Sequence, residues 1–351
     1  MRIGRHIPMG AQPKRALATA KEIGCDALQI FVTNPRGWRV PEPRPKAEDA
    51  FRALVAELDL APVVVHATYL INLASPRDDF FAQSVTLLRA TLERAARHGA
   101  TSVVLHIGSH MGSGVEAGLA RLAAGVRQTL AGTPESVALL LENDVGAGGE
   151  LGARFEHIAA VLAAVPEHAA RLGVCLDTAH LWGAGFEIGT AAGATATLAE
   201  IERLIGLTRV RVLHLNDTKV ALGSHRDIHA RVGEGIIGAE GLRTLLRAPG
   251  LAHAAVLLET PFVETAPGQM DWTFEAAQLR RVNALAGRAT PPAASSDGAA
   301  AHTAAPTKRT PRRAPVASDA TPGDATASGG ALVPATAKRP RRVPARRASG
   351  D

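Results

Sequence analysis

The chain has 351 residues, more than the roughly 250 that a single α/β barrel commonly needs. Its 39 Lys and Arg against 33 Asp and Glu give a net charge of +6. All of that excess lies in residues 289–351, where ten basic side chains face four aspartates, so residues 1–288 are formally neutral and cannot hold a polyanion by net charge alone. Cys25 and Cys175 stand outside any CxxC pattern, which argues against a disulfide framework. No apolar stretch approaches the ~20 residues of a membrane helix, and the expectation is a cytoplasmic, soluble monomer with no membrane partner.

Eight strands are predicted: Arg2–Ile7, Ala27–Val32, Pro62–Ala67, Ser102–Gly108, Val137–Asn143, Leu172–Thr178, Arg209–Asn216 and Ala254–Thr260. Segments with helical spacing alternate with them: Pro13–Ile23, Ala47–Leu58, Asp78–His98, Val115–Leu130, Phe155–Ala164, Thr195–Ile205, Ala239–Leu246 and a closing helix over Asp271–Ala286. Strict alternation calls for a parallel sheet. Eight units, with no GxGxxG after the first strand, fit a closed (β/α)8 TIM barrel better than an open doubly wound sheet. Residues 1–288 are thus expected to form one barrel domain. Residues 289–351, rich in Ala, Pro, Ser, Thr and Arg, have too few large apolar side chains to offset ordering entropy and are expected to form a disordered basic tail.

In six of the strands the apolar run ends on a metal-capable side chain: His66, His106, Glu142, Asp177, His214 and Glu259. The carboxyl ends of barrel strands are where such folds collect their chemistry. His180 follows Asp177 at i+3, and Asp227 and His229 lie in the loop after the seventh strand. Imidazole and carboxylate without thiolate suit Zn²⁺ or Mn²⁺. Nine such residues exceed what one ion uses and suffice for three. Three divalent ions against four carboxylates leave a positive site, able to attract a phosphodiester and stabilise its transition state. The first two strands supply no ligand by this reading and lead into rim loops. His6, His110 and His225 sit near the rim as supporting residues.

The order and spacing of these segments resemble the endonuclease IV family of abasic-site nucleases. The matching motifs are His66-Ala67-Thr68-Tyr69-Leu70-Ile71-Asn72-Leu73-Ala74, His106-Ile107-Gly108-Ser109-His110, Leu141-Glu142-Asn143, Leu176-Asp177-Thr178-Ala179-His180, His214-Leu215-Asn216-Asp217-Thr218-Lys219, and Asp227-Ile228-His229 followed by Gly233-Glu234-Gly235. The resemblance covers about residues 2–285. It implies three zinc sites per chain, with Mn²⁺ an alternative occupant: His66, His106 and Glu142; Glu142 as a bridge with Asp177, His214 and Glu259; and His180, Asp227 and His229. It also implies hydrolysis of the phosphodiester 5′ to an abasic site in duplex DNA, leaving a 3′-hydroxyl, with Glu142 and Glu259 as catalytic carboxylates, Glu259 orienting the attacking hydroxide. Arg36, Tyr69 and Leu70 match positions that enter the DNA.

Departures from the family pattern fall at Pro8, at Asp144 and Ala147, where Thr-Ala-Gly-Gln is usual after Glu142-Asn143, and at Ile228 and Ala230 in the last loop. Asp144 is expected to place an extra carboxylate near the phosphates. The two basic clusters of the tail, from Lys308 and from Lys338, are expected to contact the DNA backbone. The alternative function is a sugar isomerase or epimerase of the same barrel superfamily, using only Glu142, Asp177, His214 and Glu259 around one metal.

Overall fold

The computed structural model describes residues 1–289. The expected tail falls almost wholly outside them. Eight parallel strands close into a barrel in sequence order: β1 (Arg2–His6), β2 (Ala27–Ile30), β3 (Val63–His66), β4 (Ser102–His106), β5 (Ala138–Glu142), β6 (Leu172–Asp177), β7 (Val210–His214) and β8 (Ala255–Leu258). The closure pairs Ile3 with Val256 and Arg5 with Leu258.

Alternation along each strand separates two cores. Ala27, Val64, Val104, Ala138, Leu140, Cys175, Val212, Ala255 and Leu257 fill the barrel interior. The intervening residues, among them Ile3, Val65, Val103, Leu139, Leu141, Val174, Leu213 and Val256, form the larger cluster beneath the helices. Both faces of these strands are buried, which is why they read as unbroken apolar runs.

The helices are α1 (Pro13–Glu22), α2 (Pro45–Glu57), α3 (Asp78–Arg97), α4 (Val115–Leu130), α5 (Phe155–Ala164), α6 (Thr178–Ala184), α7 (Ala191–Leu204), α8 (Ala239–Arg247) and α9 (Trp272–Ala286). They pack through stripes at helical spacing, such as Val85, Leu88, Leu92 and Ala95 on α3. Two elements depart from expectation. The seven-residue α6 starts directly at the end of β6, because Asp177 accepts hydrogen bonds from the backbone N–H groups of Ala179 and His180 and so caps it. A small antiparallel pair, β9 (Glu264–Ala266) and β10 (Gln269–Met270), precedes α9.

Arg5 is fully buried although it lies in β1. Its guanidinium forms an ion pair with Glu275 of α9, donates to the Thr260 carbonyl at 3.0 Å and lies 3.7 Å from the centre of the Phe262 ring. It fastens the closing helix to the first strand.

Candidate metal centre

The interior alternation ends, at the carboxyl end of the barrel, in a layer of polar side chains. His66, His106, Glu142, Asp177, His214 and Glu259 stand there on six strands or just beyond their ends, as the sequence indicates. The first two strands contribute as well: His6 enters the same layer as the expected supporting residue, and Gln29 enters it contrary to expectation. The Gln29 amide donates to Glu259 Oε1 at 2.5 Å, and its oxygen lies 2.8 Å from His214 Nε2. His6 Nδ1 is 3.2 Å from the Gln29 amide nitrogen. Burial pushes the pKa of His6 down to about 4, so it stays neutral. Gln29 carries no signal of its role in the sequence, since a Gln inside an apolar run reads as an ordinary strand position.

The nine residues converge. His66 Nε2 and His106 Nε2 lie 3.4 and 3.5 Å from Glu142 Oε2. His214 Nδ1 lies 2.7 Å from Glu142 Oε1, 3.2 Å from Glu259 Oε2 and 3.9 Å from Asp177 Oδ2. Asp227 Oδ1 is 3.3 Å from His180 Nε2 and 3.1 Å from His229 Nε2, and the latter is also 3.5 Å from Asp177 Oδ2. Three groups able to hold a cation result: His66, His106 and Glu142; Glu142, Asp177, His214 and Glu259; and Asp177, His180 and His229, with Asp227 beside them. Asp177 thus stands between the last two groups, which sequence order alone does not indicate. Cys175 lies near Glu142 and His214, but burial holds its thiol pKa well above the ordinary value, and it belongs to the interior packing.

The outer ring nitrogens explain what the inner ones are for. His66 Nδ1 lies 2.7 Å from the Ala67 carbonyl, His180 Nδ1 lies 2.8 Å from the Asn143 carbonyl and His214 Nε2 faces the Gln29 oxygen. Each of these is an acceptor, so each of those nitrogens carries a proton. In the neutral tautomer the opposite nitrogen then presents a lone pair to a carboxylate oxygen, an arrangement that a cation or a second proton must relieve. Among the described residues, Glu142 Oε2, His180 Nε2 and His229 Nε2 are buried with no hydrogen-bond partner. The donor set therefore fits divalent metal.

Where protons occupy these positions, the pKa values follow. Burial opposes charge on His106, but Glu142 and Asp144 outweigh it and push the pKa up to about 9. Burial likewise opposes charge on His229, where Asp177, Asp227 and Glu259 prevail and also give about 9. Glu142 is held well below the carboxylate range: burial raises it, but His106, His214 and His66 outweigh that.

Asp217 builds the loop that carries Asp227 and His229. Its fully buried carboxylate accepts from the backbone N–H groups of Gly233, Gly235, Ile237 and Thr218. A Cβ at Gly235 would collide with that carboxylate, which is why the loop needs a glycine there. Ala230 is buried in a backbone pairing with Asp217, so its departure from the family pattern bears on loop packing rather than on an exposed contact.

Around the rim, Arg36 is exposed, Leu70 half-buried and Tyr69 exposed by 59%. The Tyr69 ring lies 5.7 Å from His66 and 6.1 Å from His106. Trp38 packs edge-on against Phe80. Ile228 and Pro8 are exposed, and Ala147 is half-buried. Asp144 is only 7% exposed and turns to His106. The backbone N–H groups of Gly112 and Gly114 donate to His110 Nδ1, and His225 Nδ1 binds the Val145 carbonyl, which makes both loop supports.

Fold and donor set together describe a barrel of the xylose isomerase type with residues able to hold metal, and comparison with known proteins places the chain within that fold group. The model of the Xylose isomerase-like TIM barrel family matches residues 17–281. The probable endonuclease 4 of Chloroflexus aurantiacus is 41% identical over 261 residues, covering 74% of this chain and 91% of its own. That of Halorhodospira halophila is 41% identical over 280 residues, covering 79% and 92%. The crystal structure of endonuclease IV from Thermus thermophilus superposes with a TM-score of 0.70 at 35% identity, covering 81% of this chain and 98% of that one. A D-tagatose 3-epimerase-like protein, at 18% identity and a TM-score of 0.60, shares the fold. The chain belongs to the endonuclease IV family of xylose isomerase-like TIM barrels.

Proposed function

We propose that the protein is a metal-dependent DNA-repair endonuclease that hydrolyses the phosphodiester 5′ to an abasic site in duplex DNA and leaves a 3′-hydroxyl. The observation that carries this reading is the shared use of Glu142 and Asp177 among three adjoining donor groups, each with inward nitrogens lacking a hydrogen-bond partner or facing only carboxylates. His66, His106 and Glu142 would hold one zinc, Glu142, Asp177, His214 and Glu259 a second, and His180, Asp227 and His229 a third, with Mn²⁺ able to replace zinc. Divalent ions supply Lewis-acid charge for water ionisation and for the oxygens of a phosphoryl transition state.

The chain's own residues do the rest. Glu259 is tied at Oε1 by Gln29 and leaves Oε2 toward the centre, where it can accept a proton from an attacking water and orient it. Asp177 is fixed through Oδ1 by the α6 backbone and through Oδ2 by the Asn216 amide, so the junction between two groups is rigid before substrate arrives. Tyr69, exposed beside His66 and His106, with Leu70 and Arg36, would enter the duplex and stabilise the extruded abasic sugar.

A single-metal epimerase would need only Glu142, Asp177, His214 and Glu259. It gives no role to His66, His106, His180 and His229, whose rings are turned inward around that quartet. Elemental analysis of the purified protein separates the readings: about three zinc or manganese per chain supports the nuclease, and one ion per chain with turnover of a ketose supports the epimerase.

A further inference from the structure

Among the strand-borne histidines, His106 is held differently from the rest. The partners of His66 and His214 on the outer ring nitrogen are uncharged oxygens, a backbone carbonyl and a glutamine amide, and His180 likewise leans on a carbonyl. His106 Nδ1 instead lies 3.3 Å from Asp144 Oδ2. That carboxylate is not a floating surface group. It is 7% exposed, its Oδ1 accepts from the Val145 N–H at 2.7 Å, and its own N–H donates to the Gly152 carbonyl at 3.2 Å. Gly152 has φ +95°, and a Cβ there would press on Ile107 and on the Asp144 backbone, so the returning loop is built to close on this residue.

We infer that Asp144 is a positioning residue that fixes His106 with Nδ1–H outward and Nε2 toward Glu142, making the His66–His106–Glu142 group the one metal site among the described residues whose histidine is backed by a buried carboxylate. A charged acceptor on the far nitrogen increases the donor strength of the near one and locks its tautomer. It also adds a fifth negative charge in contact with the centre. Asp144 thereby tightens the first ion selectively, at one of the positions where this chain departs from the usual motif. The inference rests on the metal-centre reading of the same residues.

The test is the release of metal from fully loaded protein to a coloured chelator, followed over time for wild type, D144N and D144A. D144N keeps the shape while removing the charge and one of the two acceptor oxygens that serve Val145 and His106, so it reports even if D144A folds poorly. The expected result is that one kinetic component is released about 10–100-fold faster in D144N, the range typical for loss of a supporting partner of a metal ligand, while the remaining metal leaves at the wild-type rate. Unchanged release in both variants, or equal acceleration of all bound metal, overturns the role of Asp144. Wild-type protein that takes up no metal overturns the metal-centre reading itself, and this inference with it.

Discussion

At the scale of single residues, the centre depends on side chains that set the direction of others. Gln29 ties His214 and Glu259 together from β2, and it is the partner that fixes the tautomer of His214 at Nε2. Gln29→Ala is expected to weaken the Glu142–Asp177–His214–Glu259 site about 10–100-fold in metal affinity, so that activity falls at limiting metal and returns in excess metal. A metal titration of the variant that overlays wild type would show that the ring is held otherwise. A second expectation concerns protons. The metal-free centre has His106 and His229 with pKa values of about 9. Both are therefore protonated at neutral pH, whereas a metal needs the bare nitrogen. Adding zinc to chelator-stripped protein at pH 7.5 should release protons, and apparent affinity should fall as pH is lowered below about 9. Calorimetry in buffers of different ionisation enthalpy measures this; uptake without proton release would mean that the histidines were already neutral.

At the scale of elements, β1 and α9 are joined by one buried ion pair. Glu275→Gln would leave the Arg5 charge without its counterion in a dry site, a change that typically costs about 3–5 kcal/mol. Denaturant unfolding should show that loss, and Arg5→Met combined with Glu275→Leu should recover much of it. Equal stability of the single and double variants would argue that the pair is not coupled. The barrel strands are legible in the sequence because burial on both faces leaves continuous apolar runs, and each run ending on His, Asp or Glu marks its own carboxyl end. The short helix α6 is not legible, because Asp177 serves at once as cap and as part of the centre. Gln29 and Asp217 stay hidden for a related reason: a polar side chain acquires its role from partners on distant strands and loops, which no local pattern records. Asp144 stands out in the sequence as a departure, but its direction does not, since the turn through Gly146 and Gly152 that carries it inward is a property of the folded loop.

At the scale of the whole molecule, residues 1–288 are formally neutral, so the proposed nuclease would need help to stay on DNA. The ten basic side chains of residues 289–351 are proposed to supply it by contacting phosphates without sequence preference. Truncation after residue 288 should weaken duplex binding at low salt and flatten the dependence of log K on log salt, leaving cleavage at saturating DNA unchanged. An identical salt slope would remove the tail from the account. The barrel's own task is tested most directly by incubating metal-replete protein with a duplex bearing one tetrahydrofuran abasic analogue, beside an intact duplex and a chelator-treated control. The account predicts a single cut on the 5′ side of the analogue, a 3′-hydroxyl that a polymerase can extend, and no cut in either control. An uncut abasic duplex, or equal cutting of the intact one, would contradict it.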